Sequence, residues 1–582
     1  MSRDDDLYVR LGRVRDRGRS NARRAKPFIA RALAAAEKAG GLQRRSGRRS
    51  RSGAFGRGRA AGIAAARLTT NRTRSVAVKV RVVRHRARGA PLRTHLAYLH
   101  REGVTKDGAR GRMFDAEHDD ADHRAFAERC EGDRHHFRFI VSPEDAEQLS
   151  DLRAFTRDLM AQADRDLGSK LDWIGVDHWN TDNPHIHVIL RGKGDDGRDL
   201  VIARDYISHG LRARAAHLAT LELGPRSDLE IRHDFAAQVE ADRWTALDRA
   251  LAREAAQHDG VIDLRPGFDI LADGHARAAM VGRMHKLERL GLAESLGPAQ
   301  WRLSQNAEPT LRALGERDDI IRRIHRGLTQ QGITRSVSGF VLGDGAAAGP
   351  VTGRLVARGL DDELQGTAYA VIDGVDGRTH HVRLANLDAT SDAAPDAIVE
   401  LRRFKDAAGR ERVALAVRSD LPIDAQVHAG GATWLDRQLV GRGTSPMSSG
   451  GFDREVREAM DARIEHLVGQ GLARRQGQRV IFARDLLDTL RRPELEEAAA
   501  RVSESAGQVY HPTAEGEPIA GTYRQRLDLA SGRFAMIDEG LGFTLVPWTP
   551  SLERQLGRQV SGIVRGNRIE WSFVRQRGPT IS

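Results

Sequence analysis

The segment 177–191, with the sequence DHWNTDNPHIHVILR, holds the densest group of residues that could do chemistry. His185 and His187 are two residues apart, so in a β-strand both side chains point to one face. The turn at 180–184 would carry His178, at the end of the preceding strand, back beside them. Three neutral imidazoles at one point can bind a divalent cation and leave positions open for water or substrate oxygens. The sequence therefore predicts a three-histidine metal site on a β-hairpin.

The elements that must position this hairpin can be found upstream. An alternating strand is predicted at 75–85, a helix at 91–103 and a second strand at HHFRFIV, residues 135–141. A long helix should follow with Ser142 as its N-cap, Pro143 as its first residue and Asp145 as its third. We expect His135 and His136 to be a surface pair. Strand, helix, strand, helix and hairpin predict an α+β sandwich with an antiparallel sheet.

The hairpin resembles the third motif of the MobP-type (VirD-like) plasmid relaxases, mobilization nucleases of the HUH endonuclease superfamily, whose pattern is approximately HxDxxxPHxHxxxR. The matching positions are His178, Pro184, His185, His187 and Arg191. The sequence departs from the pattern at Asn180, where many relatives have Asp. Because an amide can only hydrogen-bond, the neighbouring Asp177 and Asp182 are the candidates to replace that carboxylate.

The resemblance implies a nucleophilic tyrosine on an upstream helix. LAYLHREG, at 96–103, resembles the first motif of the family and contains Tyr98. Leu92, Leu96 and Leu99 form the apolar stripe of this helix, and Tyr98 lies about 120° from its centre. Tyr206 is the second candidate for the nucleophile.

The resemblance also implies a reaction and its partners. A divalent cation, Mg²⁺ or Mn²⁺, would sit on His178, His185 and His187, and Tyr98 would attack a phosphodiester to leave a 5′-phosphotyrosyl DNA and a free 3′-hydroxyl. Ser142 and Arg191 would contact DNA. The substrates would be single-stranded and duplex origin-of-transfer DNA, and the protein partners would be relaxosome accessory proteins and a type IV coupling protein. The implied role is piloting one strand during conjugative transfer.

Charge and composition agree with a nucleic-acid partner. The 582 residues carry a formal net charge of +13, and residues 1–75 hold 21 Lys or Arg against 5 Asp or Glu. We expect 1–75 to be a basic disordered arm that binds phosphates without sequence preference. The single cysteine, Cys130, excludes intramolecular disulfides. Neither a signal sequence nor an apolar run long enough for a membrane span is visible, which predicts a cytoplasmic protein without membrane insertion.

The carboxyl half contains an internal repeat. Residues 284–303 align with 464–483 at a constant offset, and Tyr369-Ala-Val-Ile-Asp373 is similar to Phe534-Ala-Met-Ile-Asp538. Helix, glycine and short hairpin are typical of a winged-helix module, and each copy precedes a β-rich stretch.

The predicted fold class is therefore α+β, with an HUH-type antiparallel sheet and flanking helices followed by winged-helix-like and small β-barrel-like units. The predicted domains are 1–75, the basic arm; 76–260, the relaxase domain with a helical extension; and 261–440 and 441–582, each a winged-helix-like plus β unit. The family often carries an uncharacterised C-terminal domain, which segments 242–251 and 545–562 resemble.

Two other functions stay open. A rolling-circle replication initiator uses the same HUH chemistry, often with paired tyrosines and a helicase, but the sequence contains no Walker A motif. A non-catalytic winged-helix DNA-binding regulator with a degenerate nuclease is the other alternative, and Asn180 is the residue that suggests it.

Overall fold

The structure is a computed structural model. It describes residues 57–66, 70, 72–85, 91–102, 105–179, 181, 183–266, 274–342, 351–362, 364–405, 409–441, 450–477, 479–514, 516–565 and 568–572. The chain forms two compact units, Met1–Arg312 and Ala313–Ser582. The fold is mixed α/β with antiparallel sheets, as the sequence predicts at this level.

The helices of the first unit are α1 (Arg59–Ala66), α2 (Pro91–Glu102), α3 (His123–Arg129), α4 (Leu152–Leu167), α5 (Leu211–Leu223), α6 (Asp228–Glu240), α7 (Ala246–Gln257) and α8 (Gly274–Arg289). Helix α9 (Ala307–Gln330) contains the boundary between the units, and α10 (Ile423–His428), α11 (Trp434–Val440), α12 (Phe452–Gly469) and α13 (Leu486–Ala506) belong to the second.

The strands of the first unit are β1 (Val76–Arg84), β2 (His135–Pro143), β3 (Trp173–His178), β4 (His185–Arg191), β5 (Val261–Asp263), β6 (Ala293–Gly297) and β7 (Gln300–Leu303). Those of the second are β8 (Phe340–Leu342), β9 (Thr352–Asp362), β10 (Thr367–Gly374), β11 (Thr379–Leu384), β12 (Ile398–Lys405), β13 (Glu411–Ser419), β14 (Ala473–Gln476), β15 (Arg479–Phe482), β16 (Val509–Tyr510), β17 (Pro518–Leu529), β18 (Gly532–Asp538), β19 (Gly542–Pro547), β20 (Gln559–Arg565) and β21 (Arg568–Ser572).

A four-stranded antiparallel sheet in the order β1-β2-β4-β3 forms the centre of the first unit. Each of its faces packs on helices. One core joins alternate residues of the sheet, such as Phe139 and Val188, to α4 and α5. The other joins Ile174, Val176 and Ile189 to α2 and α3. This arrangement confirms the predicted sandwich and the predicted antiparallel hairpin.

Helix α4 begins later than the sequence analysis predicts. Ser142 and Pro143 are the last residues of β2, where they pair with Ala77 and Val76 of β1. The N-cap is Asp151, whose carboxylate accepts hydrogen bonds from two backbone N–H groups of the first turn. The capping box assigned to Ser142 is therefore wrong, because the ladder with β1 already uses the backbone at that position.

Packed residues are present before the predicted boundary at residue 76. Arg57 forms a short parallel bridge with Ile202, and α1 packs on the turn Tyr206–Gly210. A Cβ at Gly58 would lie 2.9 Å from the Tyr206 ring, so only glycine permits this approach. Of the predicted arm, residues 57–66, 70 and 72–75 are thus part of the packed unit, and residues 1–56 lie outside the described residues.

Helices α6, α7 and α8 form a small unit with the sheet β5-β7-β6. Its centre is an ion pair between Arg283 and Asp248, both fully buried, with Nε and Oδ1 2.8 Å apart. The same guanidinium donates to the carbonyls of Val239, Ala241 and Arg243. The pair joins residues on both sides of the predicted boundary at 260, so the packed unit begins near residue 228.

The second unit repeats this arrangement. Arg463 and Asp436 form another fully buried pair, and Arg463 donates to the carbonyls of Val427, Ala429 and Gly431. It likewise crosses the predicted boundary at 440. The two buried clusters use corresponding residues at nearly constant offsets.

The six-stranded sheets are also duplicated. Their strand orders are β13-β12-β9-β10-β11-β8 and β21-β20-β17-β18-β19-β16, so each strand of the second is eight numbers later than its counterpart. In both, the last pairing is parallel. The similar segments ending in Asp373 and Asp538 lie on the corresponding strands β10 and β18. The structure thus confirms the internal repeat that the sequence predicts.

None of the helices in the described part of the chain is long and apolar enough to cross a membrane.

Candidate metal centre

The three predicted ligands converge at one end of the β3–β4 hairpin. His178 is directly opposite His185 in the register, and Val176 is opposite His187. The ligand nitrogens of the three histidines lie within 4.8 Å of one another. Ring centroids are 4.6 Å apart for His178 and His187 and 5.0 Å apart for His185 and His187. The hairpin therefore produces the predicted triad.

The hydrogen bonds of His185 determine which nitrogen faces the triad. Its Nδ1 lies 2.9 Å from the carbonyl oxygen of Asn183, which only accepts, so Nδ1 carries the proton. In the neutral ring Nε2 then has a lone pair, and it lies 3.2 Å from Nε2 of His187. An outer carbonyl that fixes the tautomer is the usual support of a metal-bound histidine.

All three side chains are buried, with exposed fractions of 5%, 8% and 3% for His178, His185 and His187. Below them, the next residues on the same face are the apolar Val176 and Ile189. Donor type, closeness and burial fit a divalent cation bound by three imidazoles, and the triad can hold such an ion. The nature of the ion, Mg²⁺ or Mn²⁺, stays a prediction.

Helix α2 lies on the same face of the sheet as the triad. Its residues Leu92, Leu96 and Leu99 are buried in the core that contains Val176 and Ile189, which confirms the predicted apolar stripe. Tyr98 belongs to this helix, so its backbone lies on the triad's side of the sheet. The side chain of Tyr98 is outside the described part of the structure.

The auxiliary carboxylates are not at the triad where the structure describes them. Asp177 alternates with His178 and points to the other face, where Arg153 donates to Oδ1 from Nη2 at 2.7 Å. Trp179 Nε1 donates to its Oδ2 at 3.2 Å. Asp177 is thus held by its own partners. Asn180 and Asp182 lie outside the described residues.

The two predicted DNA contacts are at opposite ends of the sheet. Ser142, at the end of β2, donates to the carbonyl of Pro184 at 3.4 Å, next to the turn that precedes His185. Arg191 is at the far end of β4 and is paired with the buried Asp133, with Nε and Oδ2 2.8 Å apart. Ser142 is therefore close to the triad and Arg191 is not.

Tyr206, the second candidate for the nucleophile, lies in the core on the sheet's other face. Its hydroxyl donates to Asp166 at 2.9 Å. Burial, together with the negative charge of Asp166, raises the pKa of this hydroxyl above its ordinary value. Tyr206 is therefore a poor candidate for the nucleophile. It lies on the face away from the triad, and its raised pKa disfavours the deprotonated oxygen that must attack.

Sequence reasoning missed a cluster of basic groups on the face of the sheet that carries the triad. His136, expected at the surface, is fully buried, and Nδ1 lies 2.6 Å from Nε2 of His85. Arg138 donates to Nε2 of His136 from Nε at 3.2 Å. Burial lowers the pKa of His136 to about 2, so this ring is neutral. The alternation of HHFRFIV could have revealed the cluster, since it puts His136, Arg138 and Ile140 on the face opposite Phe137 and Phe139.

A comparison with protein families gives a match. The model described as "Protein of unknown function (DUF3363)" matches residues 280–410 and 403–580, which together are more than half of the chain. The chain belongs to the DUF3363 family. The DUF3363 match begins at residue 280 and does not include the histidine triad. Comparisons with curated proteins and with solved structures give no match.

Proposed function

We propose that this DUF3363 protein is a DNA relaxase, which nicks one strand at an origin of transfer by tyrosine transesterification and remains attached to the 5′ end. The observation that carries the proposal is the buried triad of His178, His185 and His187 on the face of the sheet to which α2, the helix of Tyr98, is also packed. The resemblance of both segments to relaxase motifs is its second support.

In the proposed reaction, the Tyr98 oxygen attacks the scissile phosphorus in line and forms a new P–O bond, while the tyrosine proton passes to a base. The bond from phosphorus to the 3′ oxygen breaks, and that oxygen takes a proton and leaves as a 3′-hydroxyl. A divalent cation on the triad, when bound, would neutralise charge on the phosphate oxygens. The phosphodiester bond is exchanged and not hydrolysed, so the same residues can rejoin the strand.

The chain's own residues organise this site. The carbonyl of Asn183 holds His185 with its Nε2 toward the triad, and the hairpin register holds His178 opposite His185. The buried leucines of α2 fix that helix on the same face. Ser142, whose Oγ donates to Pro184, would position the turn and the strand of DNA beside it.

The duplicated units suggest the remaining contacts. Helix α8 with the hairpin β6–β7, and α12 with β14–β15, have the helix-then-hairpin order of winged-helix modules. In the proposed function, these two helix–hairpin units bind duplex origin DNA or relaxosome accessory proteins. Once attached to the nicked strand, the protein binds a type IV coupling protein.

A nicking assay on supercoiled DNA carrying the element's origin of transfer, with Mg²⁺ or Mn²⁺, tests the proposal. The intact protein should give a nicked circle with covalently attached protein, and Tyr98→Phe and His187→Ala should each lose both products. Tyr206→Phe and His118→Ala serve as matched controls, since Tyr206 lies on the other face and the His118 side chain is 68% exposed. Nicking with an adduct by Tyr98→Phe would refute the assigned nucleophile.

The same assay separates the two alternatives. A rolling-circle initiator would nick a replication origin and not an origin of transfer. A non-catalytic regulator would bind origin DNA without forming an adduct under any metal condition.

A further inference from the structure

The face of the sheet that carries the triad continues across β2 to the edge strand β1. Its side chains on these two strands come from alternate residues, which the register identifies as Ala77, Lys79, Arg81, Val83, His136, Arg138, Ile140 and Ser142. None of them is acidic. Ile140 and Lys79 lie in the same cross-strand row as His187. The next row on this face contains Ile189, Arg138 and Arg81.

Arg81 and Arg138 are directly opposite each other in the β1–β2 ladder. Like charges in such a pair are destabilising, because the side chains of opposite residues lie close together. The electrostatic repulsion between the two guanidinium groups is larger here because Arg138 is only 7% exposed. A buried cation is normally paired with an anion.

Arg138 has no carboxylate as hydrogen-bond partner among the described residues. Its Nε donates to His136, a neutral ring, and that bond uses one of the five N–H donors of the guanidinium. Burial, and then the charge of Arg81, lower the pKa of Arg138 to about 10, which still leaves it charged at neutral pH. Arg138 thus keeps its positive charge and, in the described part of the chain, has only a neutral ring as side-chain hydrogen-bond partner.

The geometry points to a phosphate-binding subsite formed by Arg138, Arg81 and Lys79, which holds the backbone of a single-stranded nucleic acid next to the phosphate at the triad. Arg138 is diagonal to His187 across β2 and β4, a separation of about 7–8 Å between such positions. From there the basic side chains become more exposed toward the edge, from buried Arg138 through half-buried Arg81 to exposed Lys79. A planar guanidinium can bind a phosphate group through two parallel N–H···O hydrogen bonds.

The identification of the bound strand as DNA rests on the proposed function. The subsite itself can be tested by a binding measurement in which no DNA is nicked. Binding of a short, labelled single-stranded DNA of mixed sequence is measured by fluorescence anisotropy in EDTA, over a series of salt concentrations. For the full-length protein, Arg138→Gln should weaken binding roughly tenfold at low salt and reduce the slope of log K against log salt by about 0.7.

The matched control is Arg84→Gln, which removes the same charge from the same sheet. Arg84 is exposed on β1 and alternates to the other face, so its loss should change the affinity much less. Equal effects of Arg84→Gln and Arg138→Gln would overturn the subsite, because they would show a general charge effect. Arg138→Lys should recover part of the affinity.

A second variant guards against misfolding. If Arg138→Gln fails to fold, Arg81→Gln on the edge strand is measured in its place. We expect the same weakening of DNA binding. An unchanged affinity for DNA would overturn the subsite. The outcomes also separate this inference from the proposed function. If Arg138→Gln loses DNA binding while His187→Ala still nicks DNA, only the relaxase proposal is refuted. If Arg138→Gln binds DNA normally while His187→Ala no longer nicks it, only the subsite is refuted.

Discussion

Arg463 and Asp436 form a fully buried ion pair in which Nε and Nη2 of the guanidinium each lie 2.9 Å from a carboxylate oxygen. The pair holds α11 against α12. Arg283 and Asp248 make the same bidentate contact in the first unit. Two unrelated helix units would not use the same buried pair, so the two regions are copies of one design.

Removal of one partner should therefore be costly. Asp436→Ala leaves a buried guanidinium without its carboxylate, and we expect a loss of about 3–5 kcal/mol in the free energy of unfolding. Glu497→Ala, which removes the exposed partner of Arg501 on α13, should cost less than about 1 kcal/mol. Urea unfolding of both variants is the measurement. Equal midpoints would show that the buried pair contributes no more than the exposed one.

The triad should bind metal in the absence of DNA. Saturating Mn²⁺ is expected to raise the melting temperature of the intact protein, because an ion bound only by the folded state stabilises it. His185→Ala and His187→Ala should abolish this shift, since each removes one of three ligands. His118→Ala should retain it, as this side chain lies at the surface. A shift that persists in both triad variants would place the ion elsewhere.

His136 should make the protein sensitive to acid. Its pKa in the folded protein is lowered to about 2 by burial, whereas the ordinary value is 6.5. Below pH 6.5 the unfolded chain therefore binds a proton that the folded chain does not, and stability falls by about 1.4 kcal/mol for each pH unit. Above pH 6.5 both states are neutral and the effect is absent.

The measurement is the pH dependence of urea unfolding between pH 7 and pH 4.5. His136→Gln should have a shallower dependence than the intact protein, because the titrating group is gone. His118→Gln controls for a surface histidine. Parallel profiles for His136→Gln and the intact protein would contradict the assigned burial effect.

Two deletions should differ sharply. Removing residues 1–56 should weaken DNA binding and reduce its salt dependence but keep the described contacts of the fold, such as the bridge between Arg57 and Ile202. Removing residues 1–75 also takes away α1 and Arg74, which pairs with Asp145 and is buried. We expect this second protein to have a lower melting temperature. Equal melting temperatures would show that the segment 57–75 contributes nothing to the fold.

Periodicity was enough to predict much of the first unit. The alternation of β4 placed His185 and His187 on one face, and the short turn placed His178 beside them. The leucine stripe of α2 gave the side on which that helix packs. These features are local, because each depends on the side-chain direction within one strand or helix.

The errors came from competition between local signals and tertiary contacts. Ser142 has the sequence of a helix cap, but its backbone is used by the ladder with β1. The ion pair between Arg191 and Asp133, 58 residues away in sequence, was not visible either, and the DNA contact of Arg191 stays a prediction. The buried Arg283 and Arg463 could not be predicted at all, because an arginine at the centre of a helix gives no sign of a carboxylate in another helix.

Helix α1 packs beside Tyr206, on the side of the sheet away from the imidazoles. Arg57, where the described chain begins, and the triad therefore belong to different sides of this sheet. Under the proposed function, we expect retention on DNA through the basic segment and admission of a strand to the histidines to be separate events. A mutation could then change how long the protein stays on DNA without changing which phosphate it reaches.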